Sequence, residues 1–276
     1  MSDPRLALEA IGQLPDAEID IGDAALQLAR IDAPSADWQA AHQHLSELAQ
    51  FAVDVAATSL KGSDLREKAE GLSGLLAGAF GYQGDADTYD DLANANLIKV
   101  IERRRGLPVA LGVIWIHTAR AAGWTCHGID FPAHFLIALG DDTSQVAVDV
   151  FHGGEIMTAG DLRKLLQRVE GPGAALYPGL LRPMETRRVL LRLQNNIMTR
   201  RLATDDLDGG VACIEDMLRI APDQAELWRQ AGGLNQKLDR VAAASACYRK
   251  FLDLVPAGAG ADAVRSQLEM IRSRLN

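Results

Sequence analysis

The feature that most constrains this chain is a helix that is apolar on every side. Gly106 favours the end of a preceding helix, and Pro108 suits the first turn of a new one. From Pro108 to Ala122 the chain carries valine, leucine, isoleucine and tryptophan around the whole helical circumference. Such a helix has to be buried on most of its surface. The rest of the chain must therefore supply layers that cover it.

Three strand-like segments follow this helix, at about residues 124–129, 133–139 and 145–151. If Asp141 and Asp142 form a two-residue turn, paired positions of the last two strands sum to 283. This register predicts His134 directly opposite Asp149 on one face of the hairpin. The same face would carry Leu136, Ala138 and Ala147, whose small side chains leave room for the buried helix, with Phe135, Ile137, Val146 and Val148 on the other face.

A helix N-terminus, a histidine and a carboxylate are the parts of a thiol-enzyme site. Asp149 could accept a hydrogen bond from His134 and fix its tautomer, as a carboxylate does in catalytic triads. The same pattern is equally consistent with a structural role, in which a histidine in the core forms a hydrogen bond with a nearby acid. A thiol is missing at the start of the helix, where the sequence has Pro108.

The three cysteines are odd in number and scattered, which indicates reduced thiols in a cytosolic protein. Cys126 lies after the buried helix, away from its N-terminus, and we expect a buried side chain there. Cys213 and Cys247 are expected in the core of later helices. The histidines of the central region match no familiar metal-ligand spacing, so neither a metal nor another cofactor is predicted. Those histidines are His117, His127, His134 and His152, of which His127 and His152 are expected at the surface.

The first third of the chain is predicted to be helical and is acidic. Helices are expected at 3–14, at 22–31, from a cap at Ser35 to about Ala57, and from Ser63 to about Phe80. His42 and His44 are expected at the surface. Residues 1–95 hold 5 basic and 17 acidic side chains, which argues against nucleic acid as a partner.

Membrane insertion and export are not expected. No apolar run reaches the length of a membrane span. The amino end lacks the basic and apolar regions of a signal peptide. We therefore expect a cytoplasmic protein.

The last third contains two segments with a 34-residue period, in which Pro222 corresponds to Pro256. The second unit matches the tetratricopeptide pattern through Trp228, Gly232, Ala244, Tyr248 and Pro256. Two such units would either brace the rest of the protein or present a small groove to a protein or peptide partner. An arginine-rich face weakly favours an acidic partner, and it comprises Arg187, Arg188, Arg192, Arg200 and Arg201.

The sequences ERRRGLPVALG, DFPAHFLIAL and VAVDVFHGGE, within residues 94–154, resemble the SirB-type branch of the transglutaminase-like superfamily. The resemblance implies a mostly helical α+β protein with a papain-like core and a small antiparallel sheet. It implies an N-terminal helical part at 1–93, a core at 94–180 and tetratricopeptide-like helices at 184–276. In active members a Cys-His-Asp triad places the cysteine at the N-terminus of the buried helix. His134 and Asp149 would then occupy the histidine and aspartate places, with the cysteine place at or beside Pro108.

Proline supplies neither a nucleophile nor an N–H, so acyl transfer by this route loses its covalent step. The prediction is a bacterial pseudoenzyme that acts as a protein-binding or regulatory module. The alternative is an active amide hydrolase or acyl transferase that uses Cys126 or another non-standard nucleophile. A metal-dependent enzyme is a third, less favoured option.

Overall fold

A computed structural model of the chain describes residues 3–141 and 144–273. The predicted turn residue Asp142 lies outside them. The chain divides into two compact units, one of residues 15–193 and one of residues 1–14 with 194–276. These limits describe compact units and differ from the predicted domain boundaries at 93/94 and 180–184. The predicted boundaries remain a prediction. The predicted class, a mostly helical α+β protein with a small antiparallel sheet, is confirmed.

The helices are α1 (Pro4–Gly12), α2 (Ile21–Asp32), α3 (Trp38–Ala57), α4 (Leu65–Ser73), α5 (Leu97–Arg103), α6 (Pro108–Ala121), α7 (Ala159–Glu170), α8 (Thr186–Ala203), α9 (Leu207–Ile220), α10 (Ala225–Lys237), α11 (Val241–Leu254) and α12 (Ala259–Ser273). Short 3-10 helices cover Asp16–Glu18 and Leu92–Asn94, and a π-helical turn, Gly74–Ala79, continues α4. Within the described residues no helix is both long and apolar enough to cross a membrane.

The strands are β1 (Gln83–Gly84), β2 (Arg105–Gly106), β3 (Cys126–Phe131), β4 (His134–Gly140), β5 (Gln145–Asp149), β6 (Glu155–Ile156) and β7 (Pro183–Met184). Strands β1 and β2 form a parallel pair, and the other five form an antiparallel sheet in the order β6-β5-β4-β3-β7. The three predicted strands correspond to β3, β4 and β5. The two-residue strands were not predicted because two residues carry no alternating pattern.

Aspartates cap α3 and α4. The side chain of Asp37 accepts from the backbone N–H of Ala40 at 3.0 Å. Asp64 forms a capping box with Glu67, in which each side chain accepts from the other residue's backbone N–H. The predicted cap at Ser35 is wrong, because the carboxylate of Asp37 meets the orphan N–H groups of α3, and α4 begins after Asp64 instead of at Ser63.

The β4–β5 hairpin has a different register from the predicted one. Ala138 pairs with Ala147 and Gly140 with Gln145, so paired positions sum to 285. A shift of two residues keeps each side chain on its predicted face. It moves His134 from the position directly opposite Asp149 to a diagonal one.

The placement of the buried helix on the His134 face of the sheet is wrong. Leu136, Ala138 and Ala147 on that face belong to a core cluster with Leu162 and Leu166 of α7. Helix α6 covers the opposite face, where Phe135 points. A Cβ built on Gly112 of α6 would lie 2.3 Å from Cε1 of Phe135. Gly112 in the helix, and not the small residues of the strands, allows α6 to approach the sheet closely.

Helix α6 is buried along most of its length, as its composition predicts. Residues Val109–Ile116 are all buried, and Trp115 is fully buried. In α3, His42 is exposed as expected. His44 was also expected at the surface, but it is buried, so that prediction is wrong.

The smaller unit contains α1, the later part of α8, and α9 to α12. Gly232 of α10 lies against the ring of Tyr248 of α11, where a Cβ would meet ring carbons at 2.5 Å. Tyr248 and Ala244 share a core cluster with Trp228, so these predicted pattern residues pack as a helical pair. Helix α1 adds to this unit through Arg5, whose Nε donates to the buried Asp216 carboxylate at 3.0 Å.

Candidate functional site

His134 and Asp149 are brought together by the hairpin. His134 is the first residue of β4 and Asp149 the last of β5. Nε2 of His134 lies 3.0 Å from Oδ2 of Asp149, which is buried. An ionised carboxylate only accepts hydrogen bonds, so Nε2 carries the proton. In the neutral ring Nδ1 is then the bare nitrogen, available to a donor.

A second imidazole, His152, binds the same carboxylate. Its Nδ1 lies 2.9 Å from Oδ2 of Asp149. The rings of His134 and His152 are nearly parallel, with centroids 6.5 Å apart. The ring of His152 is exposed, as expected, but its role at Asp149 was missed. Its position three residues after Asp149, just before two glycines, is the signal that could have found it.

Backbone donors complete the surroundings of Asp149. The N–H groups of Phe151 and His152 donate to Oδ1 at 3.0 and 3.3 Å. Burial opposes ionisation of this carboxyl group, but the hydrogen bonds from His134 and His152 outweigh it and lower the pKa of Asp149. The carboxylate is therefore charged at neutral pH and holds both rings in fixed orientations.

Helix α6 and the strand before it contact neighbours of the His134–Asp149 pair at two places. Pro108 is the first residue of α6, and Gly112, one turn later, lies against Phe135, the neighbour of His134. On the other side, Gly106 pairs with Gly84, whose N–H donates to the carbonyl of Phe151 at 3.0 Å. Leu107, the N-cap residue of α6, makes no side-chain capping bond.

Cys126 is far from His134 along the sheet. Cys126 pairs with Leu139 and Phe131 with His134, so five residues separate the two positions on β3. At the rise of a strand this is about 16 Å. Burial raises the pKa of the Cys126 thiol to about 12. The thiol borders a different cleft, of about 1130 Å³, that also contains His117 and Gly140. Cys213 and Cys247 belong to α9 and α11 of the other unit.

The other histidines of the central region are dispersed. Nδ1 of His117 lies 3.5 Å from Oδ1 of Asp20. His127 is buried rather than exposed, and its Nε2 lies 3.2 Å from Oε1 of Gln145. Among the described residues, no three histidine, cysteine or acidic side chains are arranged to hold a metal ion.

Arg192 of α8 supports the strand that carries His134, and the sequence did not indicate this. Its guanidinium donates to the carbonyl of His134 at 3.4 Å and forms an ion pair with Asp130. It also lies over the ring of Phe135, 5.6 Å from the centroid. These contacts fix the backbone at the start of β4.

Comparison with known proteins agrees with this architecture. Residues 42–195 match the family model of the transglutaminase-like superfamily, and residues 199–269 match a tetratricopeptide repeat. The chain belongs to the transglutaminase-like superfamily. The resemblance to its SirB-type branch is confirmed, since relatives of that branch carry the name UPF0162 protein.

Two bacterial relatives and one human protein show the range of similarity. A UPF0162 protein of Xylella fastidiosa strain Temecula1 is 33% identical over 191 residues, which are 68% of each chain. A UPF0162 protein of Vibrio cholerae is 25% identical over 92% of this chain and 93% of the relative. F-box only protein 21 of Homo sapiens is 26% identical over 55% of this chain and 26% of that protein.

The environment of Asp149 predicts how its removal changes stability. Asp149→Asn should lower the free energy of unfolding by about 1–3 kcal/mol at pH 7, because buried donors lose a charged acceptor. A depressed folded-state pKa gives stability that is present above the unfolded value near 4 and is lost as pH falls through the folded value. Urea unfolding at pH 7 and pH 3 should therefore show a smaller difference between parent and variant at pH 3.

Glu155→Gln is the matched control, since Glu155 pairs with Asp149 across the strands and is exposed. An equal effect of both substitutions at pH 7 would contradict this role for Asp149.

Proposed function

We propose that this protein is a catalytically inactive member of the transglutaminase-like superfamily that acts as a protein-binding or regulatory module. One observation carries the proposal: α6 begins with Pro108 at the place that the family resemblance assigns to the nucleophilic cysteine. A helix N-terminus favours a thiolate and offers N–H groups to an oxyanion. Proline provides no sulfur and no N–H, so an acyl-enzyme cannot form there.

The alternative, an active enzyme that uses Cys126, has less support. Its thiol is buried with a pKa of about 12, so almost no thiolate exists at neutral pH. It also lies five strand positions from His134. The His134–Asp149 pair, lacking a sulfur, can still hold a ligand by a hydrogen bond at Nδ1. We therefore assign it a binding or structural role.

The repeat unit offers a groove for a partner. Helices α8, α10 and α12 line a cavity of about 540 Å³ with apolar residues, including Met198 and Leu202. Arg229 and Lys237 lie at this cavity, and its described lining contains no carboxylate. Arg229 forms an ion pair with Glu226, so Lys237 supplies most of the uncompensated charge. We propose an acidic peptide with an apolar side chain as the partner.

The polar wall of this groove is ordered by hydrogen bonds. Tyr248 Oη donates to Gln236 Oε1 at 2.9 Å, and Gln236 Nε2 donates to Gln267 Oε1 at 3.2 Å. Ordered side chains lower the entropic cost of binding. The proposal places this interaction in the bacterial cytoplasm, on the basis of the bacterial relatives.

Restoring a thiol tests the assignment of the nucleophile place. In Pro108→Cys, the helix N-terminus should lower the pKa of the new thiol, and the family resemblance places the imidazole of His134 beside it, where it would lower that pKa further. Iodoacetamide should then alkylate residue 108 about tenfold or more faster at pH 7 than an ordinary exposed cysteine. Adding His134→Ala should remove most of that advantage, as followed by peptide mass spectrometry.

Thr58→Cys provides the exposed reference thiol. If Pro108→Cys reacted no faster than Thr58→Cys, residue 108 would not be the nucleophile place. If a native cysteine of the parent reacted in a His134-dependent way, the protein would not be inactive.

The groove can be tested separately from the missing thiol. On a peptide array, acidic peptides with an apolar residue should be enriched over basic ones. Lys237→Glu should weaken binding of a selected peptide at least tenfold, because it reverses the main positive charge. Lys250→Glu, at an exposed position of α11 that does not line the groove, makes the same charge change and should keep binding. Equal weakening by both variants would contradict the groove assignment.

A further inference from the structure

We infer that His44 and Arg104 form a pH-sensitive contact that holds the segment leading into α6 and releases it when His44 gains a proton. The inference does not depend on the proposed function. It concerns a cluster of side chains that lies outside the His134–Asp149 pair and that no sequence motif connects.

The geometry requires a neutral His44. This buried side chain of α3 has its Nε2 2.7 Å from Nη1 of Arg104. A guanidinium only donates, so Nε2 must be the bare nitrogen and Nδ1 must carry the proton. Nδ1 lies 3.5 Å from a carboxylate oxygen of Glu47 and 3.5 Å from Nη2 of Arg104, and of these two only the carboxylate can accept its proton. Protonation at Nε2 would remove the acceptor and place two positive charges side by side.

Arg104 needs this contact because its backbone is strained. It follows α5 with φ of 58°, in the left-handed region that favours glycine. A non-glycine residue in this region is strained, because its Cβ comes too close to the following carbonyl oxygen. The guanidinium also donates to the hydroxyl of Tyr82 and lies 4.9 Å from the centroid of its ring. The side-chain contacts with His44 and Tyr82 therefore stabilise an unfavourable backbone conformation.

Charged or titratable groups from several elements face His44. Glu47 comes from its own helix, Arg104 follows α5 and Tyr82 precedes β1. Asp37 and Glu102 share a cavity of about 450 Å³ with His44, Glu47 and Arg104, through which water can deliver a proton. Burial and the charge of Arg104 lower the pKa of His44 and outweigh Glu47, which acts in the opposite direction.

The lowered pKa of His44 determines how the stability of the contact changes with pH. A histidine whose folded-state pKa is depressed contributes stability that is present above its unfolded pKa, near 6.5. That contribution is lost as pH falls below this value, because the unfolded or opened state takes up the proton first. The contact should therefore open under mildly acidic conditions.

Backbone hydrogen bonds link Arg104 to the candidate site. Its carbonyl accepts from the N–H of Gln83 at 3.0 Å, and the carbonyl of Gly106 accepts from Asp85 at 3.2 Å. The neighbouring Gly84 donates to the carbonyl of Phe151, which adjoins His152. Release of Arg104 would thus loosen β1 and β2 and, through them, the loop that follows Asp149.

Hydrogen exchange of the full-length protein at pH 7.5 and pH 5.5, corrected for intrinsic exchange rates, tests this inference. In the parent, amides of residues 83–85 and 104–107 should exchange at least threefold faster at pH 5.5. Amides of α11 should not change. His44→Gln retains an acceptor but cannot be protonated, so its exchange should be independent of pH in both segments.

Arg104→Gly provides a second variant that keeps the fold, because glycine adopts a φ of 58° without strain. In this variant, amide exchange of residues 83–85 and 104–107 should also become independent of pH. The inference would be overturned if the parent showed no acid-induced loss of protection. It would equally be overturned if His44→Gln showed the same loss, since other groups would then be responsible.

Discussion

The buried carboxylate of Asp149 is the interaction on which the rest of the site depends. A buried charge is costly unless it is fully hydrogen-bonded. Asp149 accepts from His134, from the ring and backbone of His152, and from the backbone of Phe151. These bonds fix both imidazole rings and the loop after β5. Because Phe151 also accepts from Gly84, the same carboxylate anchors the small β1–β2 pair beside the start of α6.

The apolar helix α6 is held by packing that does not require a nucleophile at its first residue. The burial of α6 and the close contact between Gly112 and Phe135 belong to the packing of the core. Neither depends on the chemistry of residue 108. Pro108 even suits the first turn of a helix. A fold of this kind specifies where a reactive group would lie, whereas activity depends on the group itself. The proposed role therefore rests on which residue stands at position 108, the place that the family resemblance assigns to the cysteine.

Local signals in the sequence were sufficient for much of the fold. Pro108 marked the start of the buried helix, and the 34-residue period identified the paired helices around Gly232. Gly106 does not end the preceding helix as predicted, because α5 ends at Arg103, Arg104 adopts the left-handed conformation there, and Gly106 lies in β2. The hairpin register was wrong because two consecutive aspartates do not fix a loop length. The burial of His44 was missed because its partner, Arg104, is 60 residues away. The ring of His152 carried no periodicity, since it lies in a turn outside the strands.

The tautomers of the two imidazoles at Asp149 test the central claim most directly. Long-range proton–nitrogen NMR correlations at a pH where both rings are neutral distinguish a protonated ring nitrogen from a bare one. The account predicts that His134 is protonated at Nε2 and bare at Nδ1, and that His152 is protonated at Nδ1. Protonation of neutral His134 at Nδ1, or averaging between tautomers, would show that Asp149 does not hold this ring.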